Sequence, residues 1–378
     1  MKNIVVLGAG LGAVPVIRQA MKDIVLSSKD YKLIVVAPNT HFHYPIAMPR
    51  VIVPGQIPDD KVFLSLDSLF KSYPAEKFEF LVGEAKTLST ADKTITVSLN
   101  AGEERSVTYD SLIIATGASS RDSMPWKTVG TTEKTKEEVK RIREEIKNAK
   151  TIVVAGGGLT GSETAGELGF EYGKSGSKEI YFVHSDAQPL YSQTLDSVRK
   201  QVRIELEKMK VKLISNSTVT STKRDGSDIT VEILNTNGET RTIKAQAYIP
   251  ATGVVPNSGF APKELLDDRG YFKQTKTLQL EGHSDIFVVG DVGNKEPSKA
   301  MITEAQANHV SKALPGFILR KESVPEYKAA DKEMAAVTLG RSKGTGQMGN
   351  MKLPSFMVWF LKGRSMFVEK VPAFLVAK

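Results

Sequence analysis

Two segments of this 378-residue chain repeat one pattern, and the repeat limits the folds that the chain can adopt. In the first segment an apolar stretch, Ile4–Leu7, runs into a glycine-rich turn at Gly8–Gly12. In the second, Ile152–Ala155 runs into Gly156–Gly161, and a further apolar stretch follows each turn. A strand, a glycine turn, a helix and a parallel strand make up a βαβ unit. The repeat therefore predicts an α/β protein with two Rossmann-like domains.

Glycine turns of this kind suit the binding of a dinucleotide. The backbone has to turn tightly and approach a pyrophosphate, which also meets the positive end of the following helix. A tight turn without a ligand is the alternative, and the occurrence of two such turns favours two dinucleotide sites. The residues concerned are Gly8, Gly10, Gly12 and Ala13 in the first turn and Gly156, Gly158 and Gly161 in the second.

The residue that ends the second strand of each unit carries information about the nucleotide. In many such units an acidic residue there bonds a ribose hydroxyl. The first unit has Asn39 instead, an amide that can make the same bond. The second has His184, followed by Ser185. A strand-end acid favours NADH and a neutral or basic residue tolerates the 2′-phosphate of NADPH, so both nucleotides stay open.

Two carboxylates, Glu163 and Glu167, follow the second turn. Their four-residue spacing places both on one face of the predicted helix. A carboxylate near the start of a helix also interacts favourably with the helix dipole. One interpretation therefore places Glu163 beside a bound nicotinamide, with Glu167 in the same nucleotide site. The alternative is that Glu163 only caps the first turn of the helix.

Three further apolar stretches end in residues that suit a flavin dinucleotide. Each alone is compatible with an ordinary buried strand and turn, but their order around the two glycine turns predicts FAD in the first unit and NAD(P)H in the second. Asp291 would accept a hydrogen bond from a ribityl hydroxyl of FAD. The residues at these strand ends are Ala115, Thr116 and Gly117, then Gly253, then Gly290 and Asp291.

The positions of these motifs predict three parts of the chain. Residues 1–120 and 256–326 form a discontinuous FAD-binding domain, and residues 121–255 form an NAD(P)H-binding domain. Residues 327–378 form a small C-terminal α+β segment. Charged residues at 133–150 predict a helix that leads into the second unit, and turns within 211–238 predict hairpins.

The composition excludes several kinds of site. The chain has no cysteine, so it cannot be a flavoenzyme that passes electrons through a cysteine pair, and thiolate-bound zinc and iron–sulfur centres are excluded too. With only five histidines, scattered along the sequence, we expect no metal site. The net charge of +8 comes from dispersed Lys and Arg residues, as on a solvated surface, and we expect no nucleic-acid binding.

No apolar run reaches the roughly 18–20 residues needed to span a bilayer. A strand is predicted from Lys2 onwards, so we expect neither a leader peptide nor N-myristoylation, and we expect a cytoplasmic protein. The tail at Lys352–Lys378 combines apolar side chains with Lys and Arg. We expect it to contact the surface of a mitochondrial or other intracellular membrane; the alternative is that it covers the flavin domain.

These motifs together resemble the pyridine nucleotide-disulfide reductase superfamily, from residue 2 to about residue 320. The stretches 41–50, 184–185 and 337–347 resemble the apoptosis-inducing-factor-like flavoproteins, which include the ferroptosis suppressor protein and its fungal relatives. That family is known for FAD-dependent NAD(P)H:quinone oxidoreductases. The resemblance therefore implies FAD, NAD(P)H and a quinone acceptor.

The resemblance also implies roles for individual residues. Arg50 would sit near the flavin, Lys299 and Ala300 would lie beside the isoalloxazine ring, and Glu163 would touch the nicotinamide. A lysine there would offset the negative charge of the reduced flavin, and a surface lysine is the alternative. Gln306 either lines the acceptor site or is an amide on a helix surface.

The acceptor itself stays open at this point. A quinone fits the resemblance and the apolar tail, and a small redox protein fits the same fold. A further alternative is a redox-sensing flavoprotein that binds DNA and signals cell death. Turnover with a soluble quinone would separate the enzyme from the signalling protein.

Overall fold

The computed structural model describes residues 1–330 and 332–376, without the side chain of Val376, so the last two residues of the predicted C-terminal segment lie outside the described part. The helix predicted at 133–150 is present at Thr132–Asn148. Another helix, Ala300–Arg320, begins directly after Lys299. The helices are α1 (Ala13–Ala20), α2 (Met48–Val51), α3 (Leu66–Phe70), α4 (Thr132–Asn148), α5 (Leu159–Leu168), α6 (Asp196–Lys208), α7 (Ala300–Arg320), α8 (Ser355–Val358) and α9 (Val371–Val376).

The larger sheet has eight strands. In order across the sheet they are β18 (Gln279–Leu280), β19 (His283–Val288), β8 (Ser111–Ile114), β1 (Lys2–Leu7), β2 (Tyr31–Ala37), β5 (Phe78–Ser89), β6 (Thr94–Leu99) and β7 (Glu104–Thr108). The five strands from β19 to β5 run parallel. The chain passes from β1 to β2 on one side and places β8 on the other, so a crevice opens beyond the carboxyl end of β1.

The second sheet has four parallel strands and contains the second glycine unit. In order they are β12 (Lys212–Ile214), β11 (Glu179–Val183), β10 (Thr151–Ala155) and β16 (Ala247–Pro250). The predicted hairpins form an antiparallel sheet that shares an apolar core with β10 and β11. Its strands are β13 (Ser217–Asp225), β14 (Asp228–Asn235) and β15 (Thr240–Ala245). The prediction of two Rossmann-like α/β domains is confirmed.

Two short antiparallel pairs complete this part of the chain. One consists of β3 (His41–His43) and β4 (Phe63–Ser65). The other joins β9 (Ala118–Ser120) to β17 (Val254–Pro256). Because β9 follows Gly117 and β17 follows Gly253, this second pair holds the two strand ends that carry the Ala-Thr-Gly sequences next to each other.

The C-terminal segment packs against both sheets' domains. It contains an antiparallel sheet of β20 (Met334–Leu339), β21 (Lys343–Met348) and β22 (Met351–Leu353), followed by α8 and α9. The ring centroids of Phe374 and Phe42 lie 5.5 Å apart, and the carbonyl oxygen of Phe374 accepts a 2.6 Å hydrogen bond from Arg18 Nη1.

Across residues 1–330 and 332–376, none of the helices combines the length and the apolar character needed to cross a bilayer.

Candidate functional site

The first glycine turn packs against the end of β8. Gly8 has φ +113°, and a Cβ atom on it would lie 2.3 Å from the carbonyl oxygen of Ala115. Such a contact is far below van der Waals distance, so only glycine fits there. Gly10 faces open space, which leaves its backbone accessible to a ligand. A Cβ on Gly12 would lie 3.2 Å from the side chain of Thr303, so this glycine lets α1 and α7 approach each other.

A cleft of about 680 Å³ opens at the carboxyl ends of the parallel strands. Its volume falls in the range of ligand sites, and polar residues are among those that line it. The predicted flavin residues that line it are Gly8, Gly10, Gly12, Asn39, Ala115, Thr116, Gly117, Asp291 and Ala300. Ala13 is buried at the start of α1, and Gly290 lies just before Asp291 at the end of the β19 strand.

Two buried polar atoms of this cleft have no hydrogen-bond partner among the described residues. They are Oδ1 of Asn39 and Nε2 of His43. Buried polar atoms in folded proteins normally have partners, so these two call for a polar ligand. Burial lowers the pKa of His43 to about 3, with a smaller contribution from Lys127, and the imidazole is therefore neutral at pH 7. The cleft residues thus fit FAD, which offers ribose and ribityl hydroxyls.

Asp291 already has two partners in the cleft. Its Oδ2 lies 2.6 Å from Nζ of Lys127, and its Oδ1 accepts a 3.1 Å hydrogen bond from Thr303. Only 9% of Asp291 is exposed. Lys127 also lines the cleft and was not predicted, because it stands in a connection between β9 and α4 that has no recognisable motif.

Gln306 turns out to support the Gly290 turn. Its Oε1 accepts a 2.9 Å hydrogen bond from the backbone N–H of Gly290, and its Nε2 donates to Glu296 at 3.0 Å. The side chain is buried. The expectation that it lies on a helix surface is wrong, because the side chain is buried and its amide oxygen satisfies a backbone N–H. Its place at an acceptor site stays a prediction.

Lys299 and Ala300 stand at the N-terminus of α7 but differ in their surroundings. Ala300 lines the cleft. Lys299 is not among the residues that line it, and its Nζ pairs with Glu333 at 2.5 Å. The cation expected beside the isoalloxazine ring is therefore engaged by the beginning of the C-terminal segment.

The second glycine turn repeats the geometry of the first. Gly156 also has φ +113°, and a Cβ on it would lie 2.3 Å from the carbonyl oxygen of Ala251. Gly161 packs against the carbonyl of Gly156, where a Cβ would lie at 1.9 Å. Next to Gly158 lies the hydroxyl of Tyr191, 2.9 Å from the position of a Cβ, a neighbour that the sequence motif did not reveal.

Two further predicted nucleotide residues, Gly253 and His184, lie near this turn. Gly253 has φ +115° and open space beside it. The His184 ring is buried: Nδ1 lies 2.8 Å from the carbonyl of Asp186 and Nε2 lies 3.2 Å from Oγ of Ser215. Both ring nitrogens thus have partners within the chain. The place of His184 in the nucleotide site stays a prediction.

Glu163 connects the second glycine unit to the C-terminal segment. Its Oε1 accepts hydrogen bonds from the backbone N–H of Thr338 at 2.8 Å and from its hydroxyl at 3.0 Å. It also pairs with Nζ of Lys362 at 2.7 Å, and only 4% of Glu163 is exposed. Neither Thr338 nor Lys362 was identified as a site residue, although Thr338 lies in one of the stretches that carry the family resemblance.

Arg50 and Glu167 form a buried ion pair that joins α2 to α5. Two hydrogen bonds connect them: Nη2 to Oε1 at 2.7 Å and Nε to Oε2 at 3.0 Å. Neither residue lines the cleft at the first glycine turn. The roles expected for Arg50 near the flavin and for Glu167 in the nucleotide site stay predictions. Burial raises the pKa of Glu167, and Arg50 opposes that shift. Removing one partner of such a pair costs about 3–5 kcal/mol.

Comparisons with known proteins agree with this architecture. Residues 2–308 match the family model for pyridine nucleotide-disulphide oxidoreductases. The chain is 36% identical over 375 residues to oxidoreductase ptaL of Pestalotiopsis fici, covering 98% of both proteins. It is 26% identical over 374 residues to ferroptosis suppressor protein 1 of Xenopus tropicalis, covering 97% of this chain and 94% of that protein.

Among solved structures, the sulfide:quinone oxidoreductase of Aquifex aeolicus has the same fold. The TM-score is 0.78 at 18% sequence identity, and the match covers 100% of this chain and 93% of that one. The family match extends over most of the chain and includes both glycine turns. The chain therefore belongs to the pyridine nucleotide-disulphide oxidoreductase family, as an oxidoreductase that depends on FAD and NAD(P)H.

Proposed function

We propose that the protein is an NAD(P)H:quinone oxidoreductase of the apoptosis-inducing-factor-like type. The observation that carries this proposal is the ion pair between Glu163 and Lys362. It joins the helix after the nucleotide turn to the segment that bears the exposed apolar side chains. The helix of the nucleotide turn and the segment with the exposed apolar side chains are thus parts of one hydrogen-bonded arrangement.

The cleft residues divide the work of holding the cofactor. The Gly8–Gly12 turn binds the pyrophosphate of FAD, Asn39 bonds its ribose, and Asp291 bonds its ribityl chain. The Gly156–Gly161 turn binds the pyrophosphate of NAD(P)H. When bound, FAD supplies the redox chemistry by accepting a hydride from NAD(P)H and returning two electrons to the acceptor.

The chain has no cysteine, and this restricts how electrons leave the flavin. In the absence of thiols no disulfide can relay them, so the acceptor has to approach the flavin itself. A quinone suits such an approach because its ring is flat and apolar. The Aquifex protein of the same fold is by its name a quinone oxidoreductase, and the sequence resemblance to the ferroptosis suppressor protein implies the same acceptor class.

The C-terminal segment has two kinds of apolar side chain. Val358, Met366 and Val371 are buried and pack against the body of the protein. Phe356 and Phe360 point outwards, 70% and 57% exposed. We propose that the exposed set contacts a membrane surface, where rings sink into the headgroup region and neighbouring cations meet anionic lipids. This surface, called the apolar patch here, consists of Met351, Phe356, Met357, Phe360 and Leu361.

We expect the FAD-loaded protein to oxidise NADH or NADPH with ubiquinone analogues or menadione as acceptor. The measurement is steady-state nucleotide oxidation under anaerobic conditions, with each nucleotide against each acceptor. A small redox protein of the rubredoxin type, supplied in its oxidised form, and ferricyanide serve as comparison acceptors. Turnover with ferricyanide or the small protein, and with none of the quinones, would contradict the quinone assignment.

We expect Glu163→Ala to slow reduction of the flavin by NAD(P)H about tenfold or more, equivalent to roughly 1.4 kcal/mol, without loss of FAD. The variant removes the acceptor of three hydrogen bonds at the junction with the C-terminal segment. Stopped-flow absorbance measures the rate, and Lys362→Met should show a similar loss. Glu179→Ala, which removes an exposed ion pair with Lys212, is the matched control. An unchanged rate and nucleotide affinity in Glu163→Ala would make Glu163 a structural residue only.

We expect the triple variant Phe356→Ser, Phe360→Ser, Leu361→Ser to lose most of its binding to vesicles that contain anionic lipid. Its turnover with a soluble quinone should persist, because the substituted side chains are exposed. Vesicle co-sedimentation measures binding, and Leu26→Ser with Leu234→Ser, two exposed apolar positions elsewhere, is the control. Equal sedimentation of the triple variant and the unaltered protein would show that the apolar patch does not contact lipid.

A further inference from the structure

One lysine that lines the cleft lies beside Asp291. Lys127 lines the cleft, and its Nζ lies 2.6 Å from Oδ2 of Asp291. Its backbone position is set by the preceding residue, since the buried Trp126 donates a 2.7 Å hydrogen bond from Nε1 to the carbonyl of Pro250. Lys127 therefore reaches into the cleft from a firmly held point of the connection between the two domains.

The ammonium group of Lys127 has more N–H donors than hydrogen-bond partners among the described residues. A lysine ammonium carries three N–H donors. Among the described residues the only hydrogen bond it makes is the one to Asp291. The other partner of Asp291, Thr303, is uncharged, and neutral His43 adds no positive charge. The remaining donors of Lys127 are thus available to a ligand in the cleft.

The other ionisable residues that line the cleft, apart from His43, lie on strands other than the one that leads to Asp291. Glu84 and Lys86 belong to β5, four strands across the sheet from β19, whose end leads to Asp291. At about 4.8 Å per strand that separation is roughly 19 Å. His41 is on β3, and burial, followed by the charge of Lys136, lowers its pKa. Lys299 pairs with Glu333 and does not line the cleft.

We propose that Lys127, and not Lys299, is the cation that stabilises the reduced flavin. The inference rests on the proposed assignment of this cleft to FAD. Uptake of two electrons and one proton leaves one net negative charge on the flavin. Asp291 adds a like charge at a site where little water reaches to screen it. Lys127 supplies one positive charge beside these two negative charges from a fixed position, so reduction requires no rearrangement of the site.

The test is the reduction potential of the FAD-loaded protein, measured by anaerobic titration with dithionite and indicator dyes. We expect Lys127→Met to lower the equilibrium constant for flavin reduction at least tenfold, a shift of about 30 mV to more negative potential. Lys127→Arg keeps the charge and should stay within threefold of the unaltered protein. Lys212→Met, which removes an exposed lysine paired with Glu179, is the control and should not shift the potential.

Three results would overturn the proposal. The first is an unchanged potential in Lys127→Met, and the second is a larger shift in Lys299→Met. The third is loss of FAD from both Lys127→Met and Lys127→Gln while Lys127→Arg stays loaded, because Lys127 would then serve to bind the cofactor and not to tune its potential. Neither NAD(P)H nor a quinone enters this titration, so a failure of the quinone assay would leave the result for Lys127 standing.

Discussion

The contact between each glycine turn and the carbonyl at the neighbouring strand end is the constraint on which the structure depends. Gly8 meets Ala115 and Gly156 meets Ala251 with the same φ, +113°, and the same 2.3 Å to the position of a missing Cβ. This close approach brings the Ala-Thr-Gly strand ends beside both turns. In the first unit a cleft opens beside this contact, where Gly8, Gly10 and Gly12 carry no side chains that would fill it.

The C-terminal segment contacts both α2 and the helix that follows the second glycine turn. It binds Glu163 through Thr338 and Lys362, and the carbonyl of Gly340 lies 3.5 Å from Arg50 in the Arg50–Glu167 pair. Buried charges are tolerated only when they are paired, so these contacts also fix where the segment sits. The buried side chains of the segment anchor it, and the apolar patch on the same segment is exposed to solvent.

The sequence predicted what local pattern determines and missed what the fold brings together. Glycine spacing and apolar stretches identify both units because they act over a few residues. The pairs Arg50–Glu167 and Glu163–Lys362 join residues 117 and 199 positions apart, and no periodicity marks such partners. Lys127 was missed for the same reason. The internal hydrogen bonds of His184 were not foreseen either, because a strand-end position does not reveal the partners of the ring.

The most direct test of this account compares Gly8→Ala with Gly156→Ala, measuring FAD content and reduction of the bound flavin by NAD(P)H. Each methyl group would clash with a strand-end carbonyl in one unit only. We expect Gly8→Ala to be isolated without FAD. We expect Gly156→Ala to keep FAD and to be reduced by dithionite, but no longer by NAD(P)H. Normal FAD content in Gly8→Ala, or reduction of Gly156→Ala by NAD(P)H at the unaltered rate, would contradict it.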